Sequence, residues 1–515
     1  MLKSTTLNKL FAPKSLTGKA SLNAVASILD YATRVIVEFI LNPLLVAGLG
    51  DAGFGLWRVL WRLNGYMMAA GGRSAQALKW AVAKEQASID YHAKRQLVGS
   101  AVAVWLLFLP FLTLVGGLFT WLFPLYLTIP DGWIGLARIT TALLVINSVL
   151  LSLTDIPRAV LQGENLGYAR MGLSAGLVIL GGVLTLLALY LDTGIVGVAA
   201  ATLLTTLVTG IAFVRIARTH LPWFGLAWPV RRTVQWFLGL SGWFVVWKFV
   251  SQLMTSGDLL ILGVFAQLEL VTVYSLTKYV PEALLQLVAI GVFGAAPGLG
   301  GIIGQQQWQK AIRVRSEMML YTWLLLTVAG ATMLLWNQLF VDLWVGPAYD
   351  AGIIATLLII LMMAQYTLIR NDANVIDLTL DVQRKVLLGL LAVILSMGLA
   401  ALLVGWFDMG ITGLCLGLIV GRLLLSWRYP QIVGQILGLS MAVQLRAIVR
   451  PLLASTLLFA AALFLQHELE FASWVSLLIG SGMTVLVATP VAAIIGLTGA
   501  QRAQLLNRVW KTVGR

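Results

Sequence analysis

Charged side chains set into long apolar stretches are the residues of this chain most able to do chemistry. Asp30, Arg34 and Glu38 recur at i, i+4 and i+8, which places them on one stripe of a helix. Arg58, Arg62 and Arg73 follow in the next apolar run, and at about 100° per residue they also share a face. Guanidinium groups offer paired N–H donors that match phosphate oxygens, so three on one helix suit an anionic ligand. Farther along, Lys248 and Asp258 share one apolar run, and Lys278 and Glu282 lie four residues apart in the next. Each of these groups has two readings. Asp30, Arg34 and Glu38 form a cavity wall or a self-neutralising triad. Arg62 meets an anion or is neutralised by Glu38, with Arg58 and Arg73 reaching the two interfaces. The later four form a facing wall or local ion pairs. Arg34, Arg58, Arg62, Arg73, Lys248 and Lys278 are therefore the candidate substrate-binding residues. Asp30, Glu38, Asp258 and Glu282 are the candidates for coupling to H⁺ or Na⁺.

Other chemistries have little support. The single cysteine, Cys415, excludes an internal disulfide or a CxxC site. His92, His220 and His467 are too scattered for metal ligation. Thr17-Gly18-Lys19-Ala20 lacks the upstream glycine and the following Ser or Thr of a phosphate-binding loop. No catalytic residue, metal or cofactor is expected.

The elements that position these charges follow from composition. Of 515 residues, 59% are hydrophobic and 11% charged, and the mean hydropathy is +0.91. Soluble domains carry about 25% charged residues, and no single core hides so much apolar surface. The chain reads as an all-α polytopic membrane protein, at about 20 apolar residues per crossing. Apolar runs predict fourteen spans near 22–48, 54–78, 97–122, 133–157, 171–190, 194–214, 236–265, 270–300, 318–340, 352–378, 386–405, 409–427, 451–466 and 472–497. The gaps leave no room for a folded soluble domain. Residues 1–21, with Lys3, Lys9, Lys14 and Lys19 and no continuous apolar region, read as a basic cytoplasmic leader rather than a signal peptide.

Charge orients the spans. Between them, the odd-numbered loops hold acids (Asp51, Asp131, Asp192, Glu269, Asp342, Asp350, Asp408, Glu468 and Glu470) and no Lys or Arg. Lys and Arg outside the spans fall in the leader, the even-numbered loops and the tail, so both termini are expected in the cytoplasm. The net charge of +14 then reflects cytoplasmic loops that face anionic headgroups, and no nucleic acid is needed to explain it.

The chain also repeats itself. Asp192-Thr-Gly-Ile-Val-Gly precedes the sixth span and Asp408-Met-Gly-Ile-Thr-Gly the twelfth. The polar end of span four (Asp155, Arg158) corresponds to that of span ten (Arg370, Asp372). Two six-helix lobes of equal orientation imply a relating axis along the membrane normal. This divides the chain into lobe 22–218, cytoplasmic linker 219–235, lobe 236–430, helices thirteen and fourteen at 451–497, and a basic tail 498–515.

Asn42-Pro43-Leu44, Gly48-Leu49-Gly50-Asp51 and Phe54-Gly55-Leu56-Trp57 resemble the first hairpin of bacterial polysaccharide transporters. These are the Wzx-type flippases of the multidrug/oligosaccharidyl-lipid/polysaccharide exporter superfamily. Gly71-Gly72-Arg73-Ser74-Ala75 and the amphipathic 79–95 segment continue the likeness. The resemblance implies two lobes around a central cavity and alternating access, in the bacterial cytoplasmic membrane. It also implies transfer of a polyprenyl-pyrophosphate-linked oligosaccharide, such as an O-antigen or exopolysaccharide unit, to the outer leaflet, with glycan polymerase or assembly proteins as partners. A multidrug exporter of the same superfamily is the alternative; a net acidic cavity would suit its cationic drugs better than an arginine-rich helix. A membrane glycan polymerase or ligase needs a large outer catalytic loop, which the short outer loops do not offer.

Further polar features have bland readings beside functional ones. Arg370, Asp372, Asp377 and Asp381 mark a cytoplasmic boundary or gate, and Arg422 snorkels at the inner boundary. Trp57 and Trp61, and Trp243 and Trp247, stack on sugar rings or serve helix packing. Pro43, Pro281 and the Gly291-to-Gly301 run bend their helices as hinges or as packing kinks. The charge pattern predicts that reporter fusions after Asp131, Asp342 and Glu468 read as outside the cytoplasm; a cytoplasmic signal at Asp342 overturns the topology.

Overall fold

A computed structural model of the protein describes residues 16–70, 74–85, 88–164, 166, 172–284, 286, 302, 306–378, 382–466, 468 and 472–503. These residues are helical almost throughout, and no strand occurs among them. In hydrocarbon every backbone N–H and C=O needs an internal partner, and a helix supplies one within the segment. In chain order the helices are α1 (Leu16–Ala70), α2 (Ser74–Lys84), α3 (Tyr91–Tyr126), α4 (Ile134–Gly163), α5 (Leu173–Tyr190), α6 (Gly194–His220) and α7 (Arg231–Phe265). They continue as α8 (Leu268–Thr277), α9 (Trp308–Trp344), α10 (Ile353–Leu378), α11 (Val382–Gly405), α12 (Gly410–Leu437), α13 (Met441–Gln466) and α14 (Trp474–Gly496).

Twelve helices among the described residues are long and apolar enough to cross a membrane. The fourteen expected spans differ from these at two places. Predicted span one and residues 54–70 of predicted span two fall within α1, whose two helical stretches meet at Gly50 (φ 69°, ψ 171°), and the end of span two, 74–78, belongs to α2. A side chain is rarely tolerated at that φ, so glycine supplies the break. The apolar part, Ile28–Met67, is 40 residues, about 60 Å at 1.5 Å per residue and twice the hydrocarbon thickness. Predicted span eight begins as α8 with further helical residues at 279–284; the Gly291-to-Gly301 run lies outside the described residues.

Two compact units divide between Ser256 and Gly257. In the first, Leu78 and Val82 of α2, Val98 and Val104 of α3, and Val160 and Leu161 of α4 form one buried cluster with Trp223 and Phe237. The 221–230 connection is held onto α3. The Arg95 Nε–H donates to the Trp223 carbonyl at 2.9 Å, and the Val230 N–H donates to Ser100 Oγ at 3.3 Å. Lys94 and Glu164, both buried, pair at 2.9 Å beside the Trp223 ring.

In the second unit α9 packs on α13 and α14. The Trp323 indole donates to Ser455 at 3.0 Å and the Trp336 indole to Thr484 at 2.9 Å. The sequence repeat has a backbone counterpart. Asp192 and Asp408 take φ of 52° and 50°, and Gly194 and Gly410 take φ of 60° and 51°. The intervening Thr193 (φ −83°, ψ 0°) and Met409 (φ −81°, ψ 4°) also agree. Aspartate and glycine are among the residues that best tolerate the left-handed region, which accounts for the shared motif. In α12, a Cβ added at Gly417 or Gly421 would meet the backbone of Ala400 or Ser396 in α11. Gly417→Val is therefore expected to cost about 1–3 kcal/mol by overpacking. Gly398→Ala, with open space around it, serves as control. Thermal melting of the detergent-solubilised protein measures both, and equal midpoints would refute the close approach.

Candidate functional site

The first unit contains a cavity of about 500 Å³, within the range of small-ligand sites. Gly65 of α1, Ser74, Ala75, Gln76 and Lys79 of α2, and Lys248 of α7 line it. α4 contributes Ser152, Asp155, Arg158, Ala159 and Gln162, a spacing of three and four residues that forms one helix face. Three of these side chains are cationic and one is a carboxylate; Gln76 and Gln162 add amides, Ser74 and Ser152 add hydroxyls, and Gly65, Ala75 and Ala159 are apolar. Arg158 and Asp155 are 3.6 Å apart on adjacent turns, both partly exposed. The lining can pair phosphate oxygens and hydrogen-bond hydroxyl groups.

Among the described residues, Lys248 is the sequence candidate for substrate binding that joins this cavity. It lies about 25 Å along α7 from Arg231 at 1.5 Å per residue, deep within an apolar helix. Arg34 and Glu38 are exposed on α1, Asp30 is half-buried, and none of them lines the cavity. Arg58 and Arg62 are half-buried and also lie off it; the Arg58 guanidinium sits 5.9 Å from the Phe54 ring centre. Trp57 and Trp61 stack with ring centres 5.6 Å apart. Arg73, Asp381 and the Trp243 side chain lie outside the described residues. Lys79 was legible only as part of an amphipathic segment, and Gln76 and Gln162 carried no signal in the sequence.

The second unit gathers buried charge. The Asp258 carboxylate accepts the Tyr274 hydroxyl at 2.6 Å and the Leu259 N–H at 2.9 Å, and pairs with Lys278. Glu282 is 3.9 Å from the Lys278 ammonium. Arg422 does not snorkel. It is 3% exposed, lies 5.7 Å from the Tyr366 ring centre, and interacts electrostatically with Asp258. The cause is helix length: α12 runs on to Leu437, which moves Arg422 from its expected end toward its middle.

The Arg370-to-Asp381 group also acquires partners from residues that looked like loop charges. Arg315 of α9 binds Asp372 at 2.8 Å and Gln444 of α13 at 3.0 Å, and Lys385 of α11 pairs with Asp377. Hydropathy ends a span where charge begins, but the helical backbone continues because Arg, Lys and Gln are good helix formers. Outside the spans, burial pushes the Asp350 carboxyl up, the Gly352 N–H at 3.1 Å opposes this, and the charge of Asp342 adds to the rise.

No protein-family model and no curated protein matches the chain. Solved structures do match in fold. The lipid II flippase MurJ in an inward closed conformation aligns with a TM-score of 0.68 at 11% identity, covering 96% of this chain and 100% of that one. An outward-facing multidrug resistance MATE family transporter of the MOP superfamily aligns at 0.56 and 15% identity, over 84% and 99% of the two chains. An inward-facing MATE transporter aligns at 0.56 and 13%, over 79% and 98%. At these identities the likeness is one of fold. The chain is a multi-pass membrane protein with the fold of MOP-superfamily transporters.

Removing one partner of the buried Arg315–Asp372 pair strands the other. Arg315→Ala is expected to cost about 3–5 kcal/mol, and the double change Arg315→Ala with Asp372→Ala to cost less than the sum of the single changes. Denaturation of the purified variants tests this, and strict additivity would refute the coupling.

Proposed function

We propose that this chain is a flippase that carries a polyprenyl-pyrophosphate-linked oligosaccharide from the cytoplasmic to the outer leaflet of a bacterial cytoplasmic membrane. The supporting observation is the cavity of the first unit, where Lys79, Arg158 and Lys248 outnumber Asp155 among amides and hydroxyls. A pyrophosphate and a hydrated glycan cannot cross hydrocarbon unaided, whereas the polyprenyl chain is at home in lipid. A basic, hydrogen-bonding hollow lowers the cost of the polar part. The reading includes fourteen spans with both termini inside, if α1 is split at Gly50 and residues 279–284 belong to a further crossing. It also includes two six-helix lobes with α13 and α14 appended.

The multidrug alternative draws on the MATE structures, which share the fold. The cavity's net positive lining disfavours cationic drugs and is the ground for preferring the glycan. Deletion in the native host separates the two. The flippase reading expects a lipid-linked sugar to accumulate on the cytoplasmic face, and the exporter reading expects drug sensitivity without accumulation. Lys248→Gln is expected to reduce flipping by about 10- to 100-fold, the scale of a lost charged contact. Lys248→Arg should retain most activity, measured at equal membrane abundance. Full activity in Lys248→Gln would remove this residue from the substrate path.

A further inference from the structure

The second unit arranges its oxygens around a cation of its own. Carboxylate oxygens of Asp258 and Glu282 face the Lys278 ammonium, and the Tyr274 hydroxyl shares the same Asp258 oxygen, Oδ2. The Tyr274 ring lies 5.3 Å from that ammonium. Lys278 and Asp258 are each 4% exposed, and the Glu282 side chain, at 27%, is the most open of the group. Hard cations are bound by converging oxygens, carboxylates first among them. Here a compact ammonium, itself a point charge with three donors, fills the position.

Charge balance supports the same conclusion. Arg422, buried and acting electrostatically on Asp258, supplies a second positive charge beside that carboxylate. The four ionised groups sum to zero. A sodium ion added to them would leave an unbalanced charge at bilayer depth, which is expensive. Without the Lys278 ammonium the same groups would sum to minus one around a vacated, oxygen-lined space.

We infer that Lys278 is a built-in cation that occupies a latent monovalent-cation site formed by Asp258, Glu282 and Tyr274, so that the native protein takes no sodium there. The inference is independent of the glycan reading, because an exporter with these residues would behave alike. Failure of one therefore does not imply failure of the other.

The test compares thermal melting of the purified full-length protein in sodium chloride and in choline chloride at equal ionic strength. The native protein should melt alike in both. Lys278→Ala should gain a sodium-specific rise of about 1–3 °C, and should retain radioactive sodium that the native protein does not. Adding Asp258→Asn to Lys278→Ala should abolish both effects. Lys278→Ser opens the same space should the alanine variant fail to accumulate. Lys278→Met, which refills the volume with an apolar chain, should not respond to sodium. Two results overturn the inference: a sodium effect on the native protein that Asp258→Asn removes, or indifference to sodium in both small-residue variants. The native measurement alone can refute it, whatever the variants' folding.

Discussion

Taking an ionised side chain out of water costs several kcal/mol even after the surroundings relax, and the described charges of this chain answer that cost in two different ways. Deep in the second unit the charges are matched across helices: Asp258 with Lys278, Arg315 with Asp372, Asp377 with Lys385. Lys94 and Glu164 do the same in the first unit. Lys94–Glu164 and Arg315–Asp372 join segments 70 and 57 residues apart. The first-unit cavity differs in charge balance: its described lining residues carry three cations and one carboxylate, with Arg158 and Asp155 3.6 Å apart.

The helices themselves were legible because apolar length is a direct consequence of the solvent in which they sit. Their ends were not. Arg315, Lys385 and Lys94 are charged, and hydropathy assigned them to loops, yet each lies inside a helix and against a counter-charge. Periodicity along one helix reveals which residues share a face, but not what faces them. Lys248 was singled out because it is a charge deep in an apolar run. Its cavity neighbours on α2 and α4 come from segments whose adjacency no local pattern encodes. The Asp-x-Gly repeat stands at the opposite extreme. Its unusual backbone demands particular residues, so the local structure could be anticipated from the letters alone.

Fold likeness and charge pattern answer separate questions. MurJ and MATE transporters share this chain's architecture at 11–15% identity, so the scaffold tolerates replacement of most side chains. What a shared scaffold can bind is decided by the few polar groups it holds at depth. Those groups differ between the two units of this chain, and the same helical framework can thus present a basic hollow in one and an internally neutral core in the other.

The connection from α6 to α7 illustrates a practical consequence. A segment between two membrane helices is where a protein engineer would cut the gene to express halves separately, or insert a tag. Here Trp223 is buried in the first unit's core, its carbonyl accepts from Arg95, and the Val230 N–H donates to Ser100, both on α3. A break at 221–230 would sever a packed strut rather than a slack tether, and the fragments would each carry half of a hydrophobic seat. A cleavage site meant to separate the halves belongs elsewhere in this protein.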